Sequence, residues 1–117
     1  MFKLDEALST ELSKAFDGLV YALLLLIPPG HVVSYSDIAK LINASPRRVA
    51  AALRRNTLPI LIPCHRVVRK NGDLSGYSFF GGASFKKKLL ELEGVAVQGN
   101  RVSKRYFYSE QLHSLLG

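Results

Sequence analysis

The punctuation between Ser34 and Arg55 constrains this chain more than any other feature. Ser34, with Asp37 three residues on, has the pattern of an N-cap and capping box and predicts a short helix from Tyr35 to about Ile42. Asn43-Ala44-Ser45 follows as a turn, and Pro46 suits the first position of a second helix reaching about Arg55. Two short helices across a three-residue turn have the helix-turn-helix spacing. Unrolled at about 100° per residue, the second helix gathers Arg54, Arg47, Ala51, Arg55 and Arg48 within an arc of about 120°. Val49, Leu53 and Ala52 fall on the other side, with Ala50 at the boundary. A merely solvated face would ordinarily mix Glu among its Arg for internal pairing, and none is present. Arginines around a small residue let a helix backbone come close to nucleic acid.

The charge distribution agrees. The 117 residues carry a formal charge of +7, divided as −2 over residues 1–30, +7 over 31–70 and +2 over 71–117. The excess belongs to one segment, which predicts a local basic surface and a polyanionic partner. The length suits a single domain spanning 1–117, and 48% hydrophobic with 21% charged residues is a globular balance. The longest apolar run, Leu19 to Pro29, is too short to span a bilayer, so the expectation is a cytoplasmic monomer with no membrane partner. One cysteine excludes a disulfide framework and any multi-cysteine metal site. No metal or organic cofactor is implied.

Around this centre, Leu4 to Ile27 reads as a helix, with Leu8, Leu12, Ala15, Phe16, Leu19 and Leu23 close to three-or-four spacing, ended by Pro28-Pro29-Gly30. Asn71-Gly72, after Val67-Val68-Arg69-Lys70, signals a hairpin. Phe85 to Glu93 reads as a helix closed by Gly94. Val95 to Tyr108 suggests two short strands around Gly99-Asn100, and Ser109 to Leu116 a last helical turn or two. The predicted class is α+β, mainly helical.

A lone cysteine is ordinarily a buried, inert small hydrophobe. Three features set Cys64 apart. It lies between Pro63 and His65, where the chain turns sharply; an imidazole is adjacent; and Arg66 follows, an environment expected to lower the thiol pKa. Glu93, at a helix end, is a carboxylate able to orient that imidazole, which would complete a nucleophile, base and orienter. His31 and His113 show no ligand spacing.

The stretch Ile60-Leu61-Ile62-Pro63-Cys64-His65-Arg66-Val67-Val68 resembles the active-site signature of the O6-alkylguanine-DNA alkyltransferases. Pro29 to Ala39 is similar to the segment that opens their helix-turn-helix, Asn56 matches their hinge asparagine, and Lys86 through Leu89-Leu90 to Glu93-Gly94 resembles their closing helix. The likeness covers roughly residues 18–95 and implies a winged helix-turn-helix domain without the amino-terminal domain most of the family carries.

What the resemblance implies is direct reversal of DNA damage after base flipping, once per molecule. Cys64 would accept the alkyl group, His65 would take its proton through a water, and Glu93 would orient His65. Tyr35 would donate a proton to the flipped guanine, and Asn56 would hold the turn before the cysteine. Val67, Tyr77, Ser78, Pro59 and Leu53 would shape the guanine pocket, with the carbonyls of Cys64 and Val67 accepting from the guanine amine. Arg47 would fill the vacancy in the stack, while Arg48, Ala50, Ala51, Arg54 and Arg55 would meet duplex DNA in its minor groove. Two departures stand out. The family's Asn-Pro reads Asn56-Thr57, and its Tyr-Ser-Gly-Gly loop is two residues longer, running from Tyr77 to Gly82. Two other functions use similar parts: a damage-flagging module that binds alkylated guanine without removing the group, and a sequence-specific regulator. The regulator would want Asn, Gln, Ser or Thr on the recognition helix rather than arginine and alanine.

Overall fold

The computed structural model describes residues 2–77 and 81–116. Its elements follow the chain as α1 (Phe2–Leu25), β1 (Val33–Ser34), α2 (Tyr35–Leu41), α3 (Pro46–Arg54), β2 (Val67–Val68), α4 (Ala83–Leu92), β3 (Val97–Gln98), β4 (Arg101–Val102) and α5 (Ser109–Leu116). Short 3₁₀ turns lie at Cys64–Arg66 and Lys104–Tyr106. The fold is α+β and mainly helical.

Local signals set the helix starts. Ser34 accepts from the Asp37 amide while the Asp37 carboxylate accepts from the Ser34 amide, so both halves of the capping box form. Ser45 caps α3 through the Arg48 amide, with Pro46 inside its first turn. Asn43, at φ 54°, supplies the left-handed residue of the intervening turn. At the other end of the domain Gly94 ends α4 in a Schellman arrangement: its amide donates to Glu91 and the Val95 amide donates back to Leu90.

The apolar stripe that announces α1 is buried only in part, at Leu23 and, less fully, Phe16. Val20, Leu23 and Leu24 enter the core with Ile27 just beyond, whereas Leu8, Leu12 and Leu19 stay exposed. The carboxy-terminal part of α1 is where α3 and the Cys64–Arg66 turn pack. The main core joins that part to Ile38, Val49, Ala52, Leu53 and Val67. A second core holds Val32, Val68, Leu74, Leu90, Val95 and Val102.

One long-range pairing positions the chemistry. β1 and β2 run parallel, Val33 opposite Val67 and Ser34 opposite Val68. Both strands are buried, as parallel pairs ordinarily are. Since Tyr35 follows β1 directly and Cys64 to Arg66 precede β2, this register brings the two segments together. The hairpin expected at Asn71-Gly72 needs correction. A tight turn forms, with the Gly72 amide donating to Arg69 and the Arg69 amide to Asp73. No ladder continues from it. Asp73 and Leu74 instead meet Arg101 and Asn100 of the β3–β4 hairpin.

Candidate active site and nucleic-acid interface

Cys64 sits on the floor of an open groove of about 1090 Å³, lined by Tyr35, Arg47, Leu53, Arg54 and Tyr77 among others. Cys64 is 4% exposed. Asn56 holds its surroundings: its Oδ1 accepts from the Leu58 amide, and its Nδ2 donates to the Ile62 carbonyl and lies 3.4 Å from Sγ of Cys64. These bonds hold the turn although Thr57 stands where the family has proline. Ile60 within that turn has φ 76°, a strained value for a β-branched residue, so the segment entering Pro63-Cys64 is held against its local preference.

The thiol pKa runs against the expectation from sequence. Burial pushes it up, and the Asn56 amide and the Lys86 ammonium offset this only in part. The adjacent cations do not reach the sulfur because they are committed elsewhere. Arg66 grips both carboxylate oxygens of Glu93, at 2.9 and 2.7 Å, and donates to the Ile27 carbonyl. His65 turns its Nε2 to Glu93 Oε2 at 2.9 Å.

That contact defines the imidazole. Despite its burial, Glu93 has its pKa lowered by hydrogen bonds from Arg66 and His65, so it is an ionised acceptor. Nε2 therefore carries the proton. His65 is fully buried, and burial lowers its pKa despite the neighbouring carboxylate, which keeps the ring neutral near pH 7. Nδ1 is left as a buried lone pair with no partner among the described residues. Glu93 thus orients the imidazole that follows Cys64 in the chain, and Arg66 holds that carboxylate from its other side. Gly30, at φ +89°, makes the close approach possible, since a Cβ there would lie 3.2 Å from the Glu93 carbonyl oxygen.

Tyr35 lies near Gly76 at the groove wall, and burial raises its pKa, so its phenol remains a proton donor. Ala50 also lines the groove, but Val67 and Pro59 are not among its lining residues. The Val67 carbonyl already accepts from Lys86 Nζ. Ser78 lies outside the described residues.

The sequence of residues 15–95 matches the model of the family described as 6-O-methylguanine DNA methyltransferase, DNA binding domain. The chain belongs to that family. Among curated relatives it is similar to the methylated-DNA–protein-cysteine methyltransferase of Methanothermobacter thermautotrophicus, 49% identical over 73 residues, covering 62% of this chain and 40% of the relative. The chain spans about half the length, or less, of that relative and of its Archaeoglobus fulgidus counterpart. Among solved structures it resembles the Mycobacterium tuberculosis OGT in complex with DNA (TM-score 0.62, 43% identity, 68% of this chain and 48% of that one). It also resembles S. pombe Atl1 in complex with damaged DNA containing O6-carboxymethylguanine (TM-score 0.72, 26% identity, 80% of this chain and 94% of that one).

Within this methyltransferase-type domain the four-arginine face of α3 is divided. Arg47 and Arg54 line the groove. Arg48 lies over the Phe16 ring at 4.0 Å, and Arg55 makes a two-bond pair with Asp17 at 2.6 and 2.7 Å. The arc drawn from helical phase is sound, but α1 claims one edge of it. Ala51 is half-buried and does not line the groove.

Reasoning from sequence missed Lys86. Its side chain is fully buried, its Nζ lies 5.6 Å from the Tyr77 ring centre, and burial lowers its pKa to about 8. In Lys86-Lys87-Lys88 it reads as one member of a solvated run. The available signal is its place four residues before Leu90, on the buried face of α4.

Proposed function

We propose that this chain is a single-turnover DNA alkyltransferase. Sγ of Cys64 forms a bond to the alkyl carbon on O6 of guanine as the carbon–O6 bond breaks. The thiol proton passes to His65, through a bridging water, and Tyr35 supplies the proton that lets guanine leave neutral. The thioether has no simple hydrolytic exit, so each molecule acts once.

The observation that supports this best is the orphan Nδ1 of His65, a neutral base on the residue that follows a thiol kept protonated by burial. Such a pair makes little thiolate at rest and generates it when the substrate fills the site. A reactive methyl inside a stacked duplex is inaccessible to a buried thiol, so the guanine must be extruded. The partner is duplex DNA carrying O6-alkylguanine, bound by a monomer through α3 in the minor groove. Arg47 occupies the vacated stack, Arg54 meets backbone phosphate, and Leu53 and Tyr77, which line the groove, bound the base.

The test is intact mass after incubation with a duplex containing O6-methylguanine. The mass should rise by one methylene equivalent, saturate at one group per chain, and map to the peptide holding Cys64. Cys64→Ser should bind the duplex but gain no mass. If the unaltered chain binds the lesion and never gains mass, it is a damage-binding module instead.

A further inference from the structure

Residues beyond 95 lie outside the stretch that matches the family. They are nevertheless built into the domain. The Leu74 amide donates to Asn100 and the Val102 amide to Gly72, each at 3.0 Å, while Val32 exchanges bonds with Tyr106 and Tyr108 at 2.9 and 2.7 Å. The approach at Gly72 is so close that a Cβ there would stand 2.2 Å from the Val102 carbonyl oxygen. Val102 itself is buried in the second core. The segment therefore ties the turn after β2 to the strand that leads into Tyr35.

Its two consecutive cations face different ways. Lys104 lines the same groove as Arg47, Arg54, Arg69 and Lys70. Arg105 lies over the Tyr106 ring at 4.8 Å and lines a separate cleft with Arg101. Among the described residues, no carboxylate forms an ion pair with any of the five groove cations. Cations from three elements, converging with no ion pair among the described residues, fit an extended polyanion better than a small anion.

We propose that residues 97–108 are a second DNA-contacting element, in which Lys104 pairs with a backbone phosphate of the duplex held in the groove. This rests on reading the groove as the DNA site. Here α3 supplies one set of contacts, and the turn after β2 with the carboxy-terminal segment supplies another.

The experiment compares full-length wild type, Lys104→Gln and Arg105→Gln for binding to a labelled O6-methylguanine duplex between about 50 and 300 mM salt. The two variants lose the same charge from adjacent exposed positions. Lys104→Gln should lower the slope of log K against log salt by about 0.9, and Arg105→Gln by less than a third of that. Equal slopes in the two variants would reduce the effect to net charge and overturn the proposal, as would a Lys104→Gln slope equal to wild type. A wild-type chain that does not bind duplex sinks the groove reading and this one together. That outcome is distinct from tight, salt-sensitive wild-type binding that Lys104→Gln leaves unchanged, which overturns the role of Lys104 alone.

Discussion

Nε2 of His65 lies 2.9 Å from Oε2 of Glu93, and this contact decides which ring nitrogen keeps its lone pair. An ionised carboxylate at Nε2 selects the tautomer with its lone pair on Nδ1, the buried atom without a protein partner among the described residues. Arg66, bound to both oxygens of the same carboxylate, stops Glu93 from turning away.

Glu93→Gln should keep the fold and lose the chemistry. The amide removes the negative charge that favours the Nε2–H tautomer and leaves Arg66 half-buried with a weaker partner. Single-turnover transfer should fall about 10²-fold or more, the range for loss of a positioned base. Binding to a lesion-bearing duplex should remain within about threefold of wild type, because Glu93 does not line the groove. Equal losses in binding and transfer would place Glu93 in the fold rather than in the relay.

Acid stability should show two steps. His65 binds its proton less tightly in the native chain than at its ordinary 6.5, so below that pH the unfolded state holds more protons and stability falls as pH drops. Glu93 adds a second loss below its ordinary 4.5, since its native pKa is depressed. In His65→Gln the first step should vanish and the second persist, as read by urea midpoints across pH. A midpoint flat from pH 7 to 5 in the unaltered chain would contradict the neutral, buried imidazole.

Lys86→Met should make Cys64 harder to ionise, because the ammonium is among the groups that lower the thiol pKa. Thiolate-dependent labelling at pH 7 should slow about tenfold for each unit of rise. The stability profiles should differ as well. With Lys86 at about 8 in the native chain and 10.5 unfolded, the unfolded state holds more protons between those values. Relative to the Met variant, wild type should therefore gain stability as pH rises through that window. The raised Cys64 thiol and Tyr77 phenol pull both proteins the other way, the thiol more strongly in the Met variant, which widens the difference in the same direction.

The arginines of α3 should separate by role. Arg47→Ala should slow transfer from duplex by about tenfold, some 1.4 kcal/mol of the few that extrusion requires, and leave transfer from a free alkylated guanine base nearly unchanged. Arg54→Ala should reduce the salt slope of duplex binding by about 0.9. Arg55→Ala should barely alter that slope but cost about 0.2–1 kcal/mol of stability, since its guanidinium, about half exposed, already pairs with Asp17. Identical salt slopes for the two variants would mean that α1 does not divide the face.

The sequence by itself determined the local elements and the family. Ser34 with Asp37, Ser45 with Pro46, and Glu93 with Gly94 carry their helix boundaries in side-chain and backbone chemistry that acts within one turn. Pro63-Cys64-His65-Arg66 carried the family likeness because a short signature needs no distant partner to be read. Tertiary structure decided everything that depends on which distant group arrives. Cys64 is raised rather than lowered in pKa because burial outweighs the groups that favour its thiolate, and Glu93, 27 residues beyond Arg66, engages the guanidinium elsewhere. Arg48 and Arg55 leave the groove because Phe16 and Asp17 come from α1. The Asn71-Gly72 turn forms from local preference, yet its flank pairs with Asn100 and Arg101, since a strand edge accepts whichever partner the packing of the second core delivers. Charge and hydrogen-bonding capacity are properties of a residue; the field it feels and the partner it finds belong to the folded chain.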